Sequence, residues 1–151
     1  MRLKFYLNQL NSDDIEKIYE IISEIRLEDG YVFVIGNGGS AATSSHFVCD
    51  MGKNSRNKSN PRLKIIGLAD NVAIFSAYAN DDGYENSFNE QNNTLGGKGD
   101  LLIAISGSGN SENVLNAVKA AKLKGLQTIG ITGFSGGKLK TIVLLHHCPI
   151  K

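Results

Sequence analysis

Two stretches of the chain repeat one pattern, and the repetition leaves few folds open. Tyr31-Val32-Phe33-Val34-Ile35 is an unbroken β-branched and aromatic run, which reads as a strand buried on both faces of a parallel sheet. It leads into Gly36-Asn37-Gly38-Gly39, too glycine-rich for a helix or strand interior. Ser40 follows and predicts the N-cap of a helix reaching Asp50. Asp100 to Ile105 is another buried strand. It is followed by Ser106-Gly107-Ser108-Gly109-Asn110-Ser111 and a helix with Val114, Leu115, Val118 and Ala121 on one face. A strand that enters a helix through small residues leaves the first N–H groups unpaired at the positive end of the helix dipole. That arrangement suits an anion such as phosphate. Two such loops at strand carboxyl ends predict a ligand in the crevice between them, at a topological switch point.

The remaining segments complete an alternation of strands and helices. Asn11 to Glu28 carries Ile15, Ile18, Tyr19, Ile22 and Ile25 at helical offsets, with Ser12 or Asn11 as cap and Gly30 as the stop. Lys53 to Arg62 (KNSRNKSNPR) is a basic loop, and Leu63 to Leu68 a strand. Asn71 to Tyr78 reads as a short helix broken by Asn80-Asp81-Asp82-Gly83, and Glu85 to Asn93 is weakly patterned. Gln127 to Thr132 is a fourth strand, Gly133 to Gly137 a loop, and Thr141 to Leu145 a fifth strand. The fold class is therefore α/β: a doubly wound, three-layer αβα domain over residues 1–151 with a five-stranded, mostly parallel sheet.

Composition narrows the function classes. Sixteen basic against fifteen acidic residues give a net charge of +1, which predicts no general nucleic-acid footprint. No apolar run reaches membrane-spanning length and the start has no signal-peptide pattern, so a cytoplasmic protein with no membrane partner is expected. Cys49 and Cys148 are too few and isolated for a disulfide scaffold. His146-His147-Cys148 are adjacent on a strand and point to opposite faces, so they are read as structural.

His46 and Asp50 lie four apart on the helix after the first glycine loop, so both project from one face. That spacing suits two ligands of one metal or a positioned acid–base pair, although spacing alone favours a surface polar pair. The functional reading rests on position, less than two turns after Ser40 and near the mouth of the expected phosphate site.

Together these residues resemble the sugar isomerase (SIS) domains, most closely the sedoheptulose 7-phosphate (phosphoheptose) isomerases. GNGGSAATSSHFVCD is similar to their first-loop motif, ANDDG to their Asn-Asp turn and ISGSGNSENV to their serine-rich phosphate loop. The resemblance implies that Asn37, Gly38, Gly39 and Ser40 line the sugar site and that Asn80 and Asp81 contact substrate hydroxyls. Ser106, Gly107, Ser108 and Ser111 would hold the phosphate. His46 would be a zinc ligand, and Asp50 would be both metal ligand and catalytic base, standing where the family has glutamate. The implied reaction is a ketose–aldose shift of a heptose 7-phosphate, in a homotetramer with zinc as cofactor.

Two further departures accompany Asp50. Gly107 replaces a hydroxyl residue. The family completes its zinc and second acid–base group with a glutamine and a histidine on a C-terminal helix that the sequence to Lys151 does not match. The expectation is an isomerase with impaired turnover. The alternative is a non-catalytic SIS module that binds a sugar phosphate or a regulatory protein partner. A nucleotide-cofactor domain is the third reading, since Gly36, Gly38 and Ala41 fit G-x-G-x-x-A, but its acid, Asp70, lies too far along the chain.

Overall fold

A computed structural model describes residues 12–143 and, for the backbone, 145–150. Five parallel strands form one sheet in the order β2-β1-β3-β4-β5, with β1 at Tyr31–Gly36, β2 at Lys64–Gly67, β3 at Leu101–Ser106, β4 at Gln127–Gly133 and β5 at Leu145–Ile150. The central strands are the most apolar. All six residues of β3 are buried, as are five of the six in β1. The edge strand β2 is only partly covered and mixes Lys64 with its isoleucines.

Alternation along the strands sends side chains to two separate cores. Val32, Val34, Leu101, Ile103 and Ile129 meet Ile22 and Ile25 of α1 (Ser12–Leu27) and Phe47, Val48 and Met51 of α2 (Gly39–Asn54). Phe33, Ile35, Leu102 and Ala104 pack on the other face. Their partners there include Phe75 of α3 (Val72–Asp81) and Val114, Leu115, Val118 and Ala121 of α5 (Glu112–Leu123). Between α3 and α5 lie a 3₁₀ turn at Tyr84–Asn86 and α4 (Asn89–Leu95), while α6 is a single turn, Leu139–Ile142. Helices thus cover both faces of the sheet, which is the three-layer α/β architecture.

Several boundaries differ from the sequence reading. The Asn80-Asp81 pair, read as a turn, forms the last turn of α3; the chain breaks one residue later, where Asp82 caps the helix and Gly83 takes φ 91°. Ser40 does not cap α2. Gly38 holds that position with φ 53°, a left-handed backbone open to glycine, and Ser40 lies inside the first turn. The segment read as a fifth strand from Thr141 is helical to Ile142, and the strand begins at Leu145. Asp29, not Gly30, takes the left-handed conformation after α1. Gly30 is needed for closeness, since a Cβ there would lie 2.6 Å from the Gly99 carbonyl oxygen. The side chains of His146, His147 and Cys148 and the cap position Asn11 lie outside the described residues.

Candidate functional site

The strand order changes direction at β1. Its chain leaves to β2 on one side while β3 pairs on the other, so the β1–α2 and β3–α5 loops open a crevice at the carboxyl ends of both strands. Both loops present bare backbone. Nothing lies within 4 Å of where a Cβ would sit on Gly38, Gly39 or Gly107. The loops are joined by a reciprocal amide pair. The Asn37 Nδ2 donates to Asn113 Oδ1 at 2.8 Å, and the Asn113 Nδ2 donates back to Asn37 Oδ1 at 2.9 Å. Asn37 Oδ1 also accepts from the Tyr84 hydroxyl at 3.0 Å.

Tyr84 reaches that point because the 3₁₀ turn is held from below. Its ring meets Phe75 edge-on at 5.8 Å, and Phe75 packs against the fully buried Phe88. Asn116 Nδ2 donates to the Glu85 carbonyl, and Gln91 Nε2 donates to the carbonyls of Leu68 and Ser87, tying the turn to α5 and to the end of β2. An open cleft of about 590 Å³ results, lined by Asn37, Tyr84, Glu85, Ser111, Glu112 and Asn113.

The serine loop is closely packed and mostly self-satisfied. Ser106 is buried, and its Oγ accepts from the Gly109 N–H at 3.2 Å. Ser108 Oγ accepts from the Asn110 N–H at 3.2 Å. Gly109 adopts φ 66° and packs so tightly on the β4–α6 loop that a Cβ would fall 2.0 Å from the Gly136 carbonyl oxygen. Ser111 differs from the other two: it is the N-cap residue of α5, its hydroxyl makes no capping hydrogen bond, and it faces the cleft. A free hydroxyl at the start of a twelve-residue helix beside its unpaired N–H groups can hold an oxyanion.

His46 and Asp50 are paired, with Nε2 3.1 Å from Oδ2, on the solvent side of α2, where their side chains are 80% and 51% exposed. They follow Gly39 by seven and eleven residues, which at 1.5 Å per residue places them about 10 and 16 Å along the helix from the glycine loop. Asn80 and Asp81 are also away from the cleft. Asn80 Nδ2 donates to Asp81 Oδ1 at 2.7 Å, and Asp81 borders a different depression with Ile74, Ala77, Tyr78 and Asp82. Among the predicted residues the structure therefore joins Asn37, Gly38, Gly39 and Ser111 around one crevice, and leaves His46, Asp50, Asn80 and Asp81 on the outside of the same chain.

Zinc, which the resemblance implies, wants four donors around one point. Among the described residues no group of three or more His, Cys, Asp or Glu side chains converges, so these residues alone do not fit a closed zinc site. Asp70, the acid required by a nucleotide-cofactor reading, accepts a hydrogen bond from the Ser45 hydroxyl. Sequence reasoning missed Tyr84, Glu85, Glu112 and Asn113. Asn113 carried the one available signal: an amide two residues past a capping serine, directly ahead of the apolar face of α5.

Comparison with known proteins decides the family. Residues 2–133 match the SIS domain family. The phosphoheptose isomerase of Histophilus somni is 41% identical over 137 residues, which are 90% of this chain and 69% of that protein. That of Aliarcobacter butzleri is 41% identical over 131 residues, or 86% and 68%. The chain belongs to the SIS domain family, among the phosphoheptose isomerases. The solved phosphoheptose isomerase of Neisseria gonorrhoeae superposes with a TM-score of 0.87 at 31% identity, covering 99% of this chain and 78% of that one. The agreement extends over the parallel sheet and both helical layers. No helix among the described residues is long and apolar enough to cross a membrane.

Proposed function

We propose that this SIS-domain protein is an aldose–ketose isomerase acting on a phosphorylated heptose, interconverting sedoheptulose 7-phosphate and D-glycero-D-manno-heptose 7-phosphate in the cytoplasm. The observation that carries the reading is the crevice in which the glycine loop of β1 and the helix-capping Ser111 meet through Asn37 and Asn113. The sequence relationship to phosphoheptose isomerases supplies the substrate class.

In this reading the phosphate rests on the start of α5, held by the Ser111 hydroxyl, the Gly107 backbone and the first N–H groups of the helix. Ser106 and Ser108 fix the loop. Asn37 and Tyr84 offer donors and acceptors to the sugar hydroxyls, and Gly38, Gly39 and Ser40 let the chain pass close to them. A ketose–aldose shift moves a proton between adjacent carbons through an enediol, and Asp50 is the proposed carboxylate that takes and returns it. His46 at 3.1 Å holds Asp50 in position and can itself carry a proton. In this reading the proton is taken and returned by this chain's own carboxylate.

The two parts of this site are set apart along α2 within a single copy. An extended seven-carbon phosphate spans roughly 10 Å from its reacting carbons, from ordinary bond lengths. Asp50 stands about 16 Å along α2 from the glycine loop. A homo-oligomer, proposed to be a tetramer, resolves this by setting the His46–Asp50 face of one copy against the crevice of another.

The test is a coupled assay for aldoheptose phosphate formed from sedoheptulose 7-phosphate. Asp50→Asn should lower turnover by about 10²–10⁴-fold, the usual worth of one acid–base group, with sugar-phosphate affinity nearly retained. Turnover unaffected by that substitution in a folded variant would remove Asp50 from the chemistry.

A further inference from the structure

At the other end of the sheet, where α2 finishes and the chain crosses to β2, lies a second cleft of about 440 Å³, lined by Lys53, Asn54, Arg56, Asn57, Lys58 and Arg62. We infer that this cleft, whose Asn54 Nδ2 donates to Asp50 Oδ1 at 3.3 Å, binds the linked phosphate groups of a small ligand at a point distinct from the Ser111 crevice of the same copy.

Charge is the first reason. The molecule as a whole is nearly balanced at +1, yet the ten-residue segment KNSRNKSNPR holds four cations and no carboxylate. Among the described residues, Lys53, Lys58 and Arg62 have no ion-pair partner; the ion pairs present are His46–Asp50 and Lys64–Asp29. Placement at the carboxyl end of a helix dipole accounts for Lys53, and Arg56 spends its Nε on the Lys53 carbonyl at 2.6 Å. Neither effect accounts for Lys58, Arg62 or the outer guanidinium nitrogens of Arg56.

Pre-organisation is the second reason. Ten flexible polar residues would pay heavily in entropy to gather around an anion. Here the loop is already fixed. Arg26 of α1 donates to the Pro61 carbonyl at 2.6 Å and to the Ser55 carbonyl at 3.2 Å. Asn57 Oδ1 accepts from the Ser59 and Asn60 N–H groups at 3.0 and 2.8 Å, leaving its Nδ2 as a donor.

Stoichiometry of charge selects the ligand class. One phosphate carries about −2 and would leave half of the four cations uncompensated, whereas linked phosphates match them. Arginine's fork suits such oxygens particularly well. An adjoining cleft of about 420 Å³ shares Asn57 and is bordered by the exposed Tyr19 and Leu27, a surface on which a base could lie. Linked phosphates could thus arrive free or on a nucleotide.

Calorimetric titration of the full chain with pyrophosphate, ATP and orthophosphate tests this. Pyrophosphate or ATP should bind saturably and at least tenfold more tightly than orthophosphate, with affinity falling as salt rises. The triple variant Arg56→Gln/Lys58→Gln/Arg62→Gln should lose tenfold or more. Lys58→Gln/Arg62→Gln, which spares the Arg56 contact to α2, should lose most of that if the triple variant proves unstable. Ser111→Ala should change this binding less than twofold. ATP binding more tightly than pyrophosphate assigns the ligand to nucleotides; equal binding assigns it to free polyphosphate. Absence of saturable binding, or binding abolished by Ser111→Ala and unaffected by the loop variants, overturns the inference.

Discussion

The amide pair between Asn37 and Asn113 is the residue on which the crevice turns, because it joins two loops that the sequence separates by 76 positions. Asn113 is only 2% exposed, and its Nδ2 also reaches the Ser87 hydroxyl at 3.4 Å. Asn113→Ala removes both halves of the reciprocal pair and leaves Asn37 half-satisfied. It should cost about 1–3 kcal/mol in urea unfolding, with sugar-phosphate affinity falling in parallel. A stable variant with unchanged affinity would mean that the pair does not shape the site. Asn92 presents the opposite case. Its side chain is fully buried on α4, and neither Nδ2 nor Oδ1 has a hydrogen-bond partner among the described residues. Two unpaired polar atoms cost about 1–3 kcal/mol each. Asn92→Leu, which replaces them with apolar atoms of similar length beside Leu126, should raise unfolding free energy by about 1 kcal/mol. Destabilisation would reveal a polar partner for Asn92 in solution.

At the scale of the element, the β3–α5 loop owes its shape to Gly109 and its ligand-facing chemistry to Ser111. Since Ser108 Oγ already accepts from Asn110 and Ser106 is buried, the two substitutions Ser108→Ala and Ser111→Ala should not contribute equally. Titration with sedoheptulose 7-phosphate should show Ser111→Ala carrying most of the loss, about 1–2 kcal/mol or roughly tenfold in affinity. A larger loss from Ser108→Ala would reverse that assignment. This loop also shows what a sequence can disclose. The strands β1 and β3 were legible because both faces are buried, so their residues are apolar without interruption. The two small-residue loops followed from the same local chemistry. The caps were less so: Ser40 is chemically a better cap than Gly38, but the chain must turn through φ 53°, which only the glycine allows cheaply. Asn80 and Asp81 read as a turn because their side chains favour one, yet α3 carries them as its final turn. Tyr84, Glu85 and Glu112 entered the cleft through the packing of Phe75 and Phe88 and the placement of α5, long-range contacts that no local pattern encodes.

For the whole molecule, the helices do not bury their apolar residues equally. The α1 stripe is covered at one end by the protein's own sheet, with Ile22 and Ile25 in the core, while Ile15 and Tyr19 are 48% and 69% exposed. The sharper anomaly is α3. Its sequence, VAIFSAYAND, is apolar through most of its length, yet none of its residues is fully buried, and Val72 and Ile74 are 71% and 44% exposed. A helix that is apolar on several sides normally sits inside a core. An exposed one of this kind points to a second copy, since large apolar patches on a lone protein mark contact sites. The same helix ends in Asn80 and Asp81, which the family resemblance assigns to substrate yet which lie outside this chain's own crevice. The His46–Asp50 pair has the same displaced position. The proposed oligomer would account for all three observations by an association of copies through α3 that brings the outward residues of one to the crevice of another. Light scattering at micromolar concentration should therefore give an oligomer mass, with the tetramer as the proposed state. Val72→Lys/Ile74→Lys should dissociate it, because two buried ammonium groups without partners are costly at an interface. Both positions are already exposed in the single chain, so its circular dichroism should be unchanged. Turnover should fall with dissociation, in proportion to the monomer fraction, while ligand still binds at Ser111. A fully active monomer would sink the shared-site arrangement and require Asp50 to work within one copy, against the distance of about 16 Å along α2.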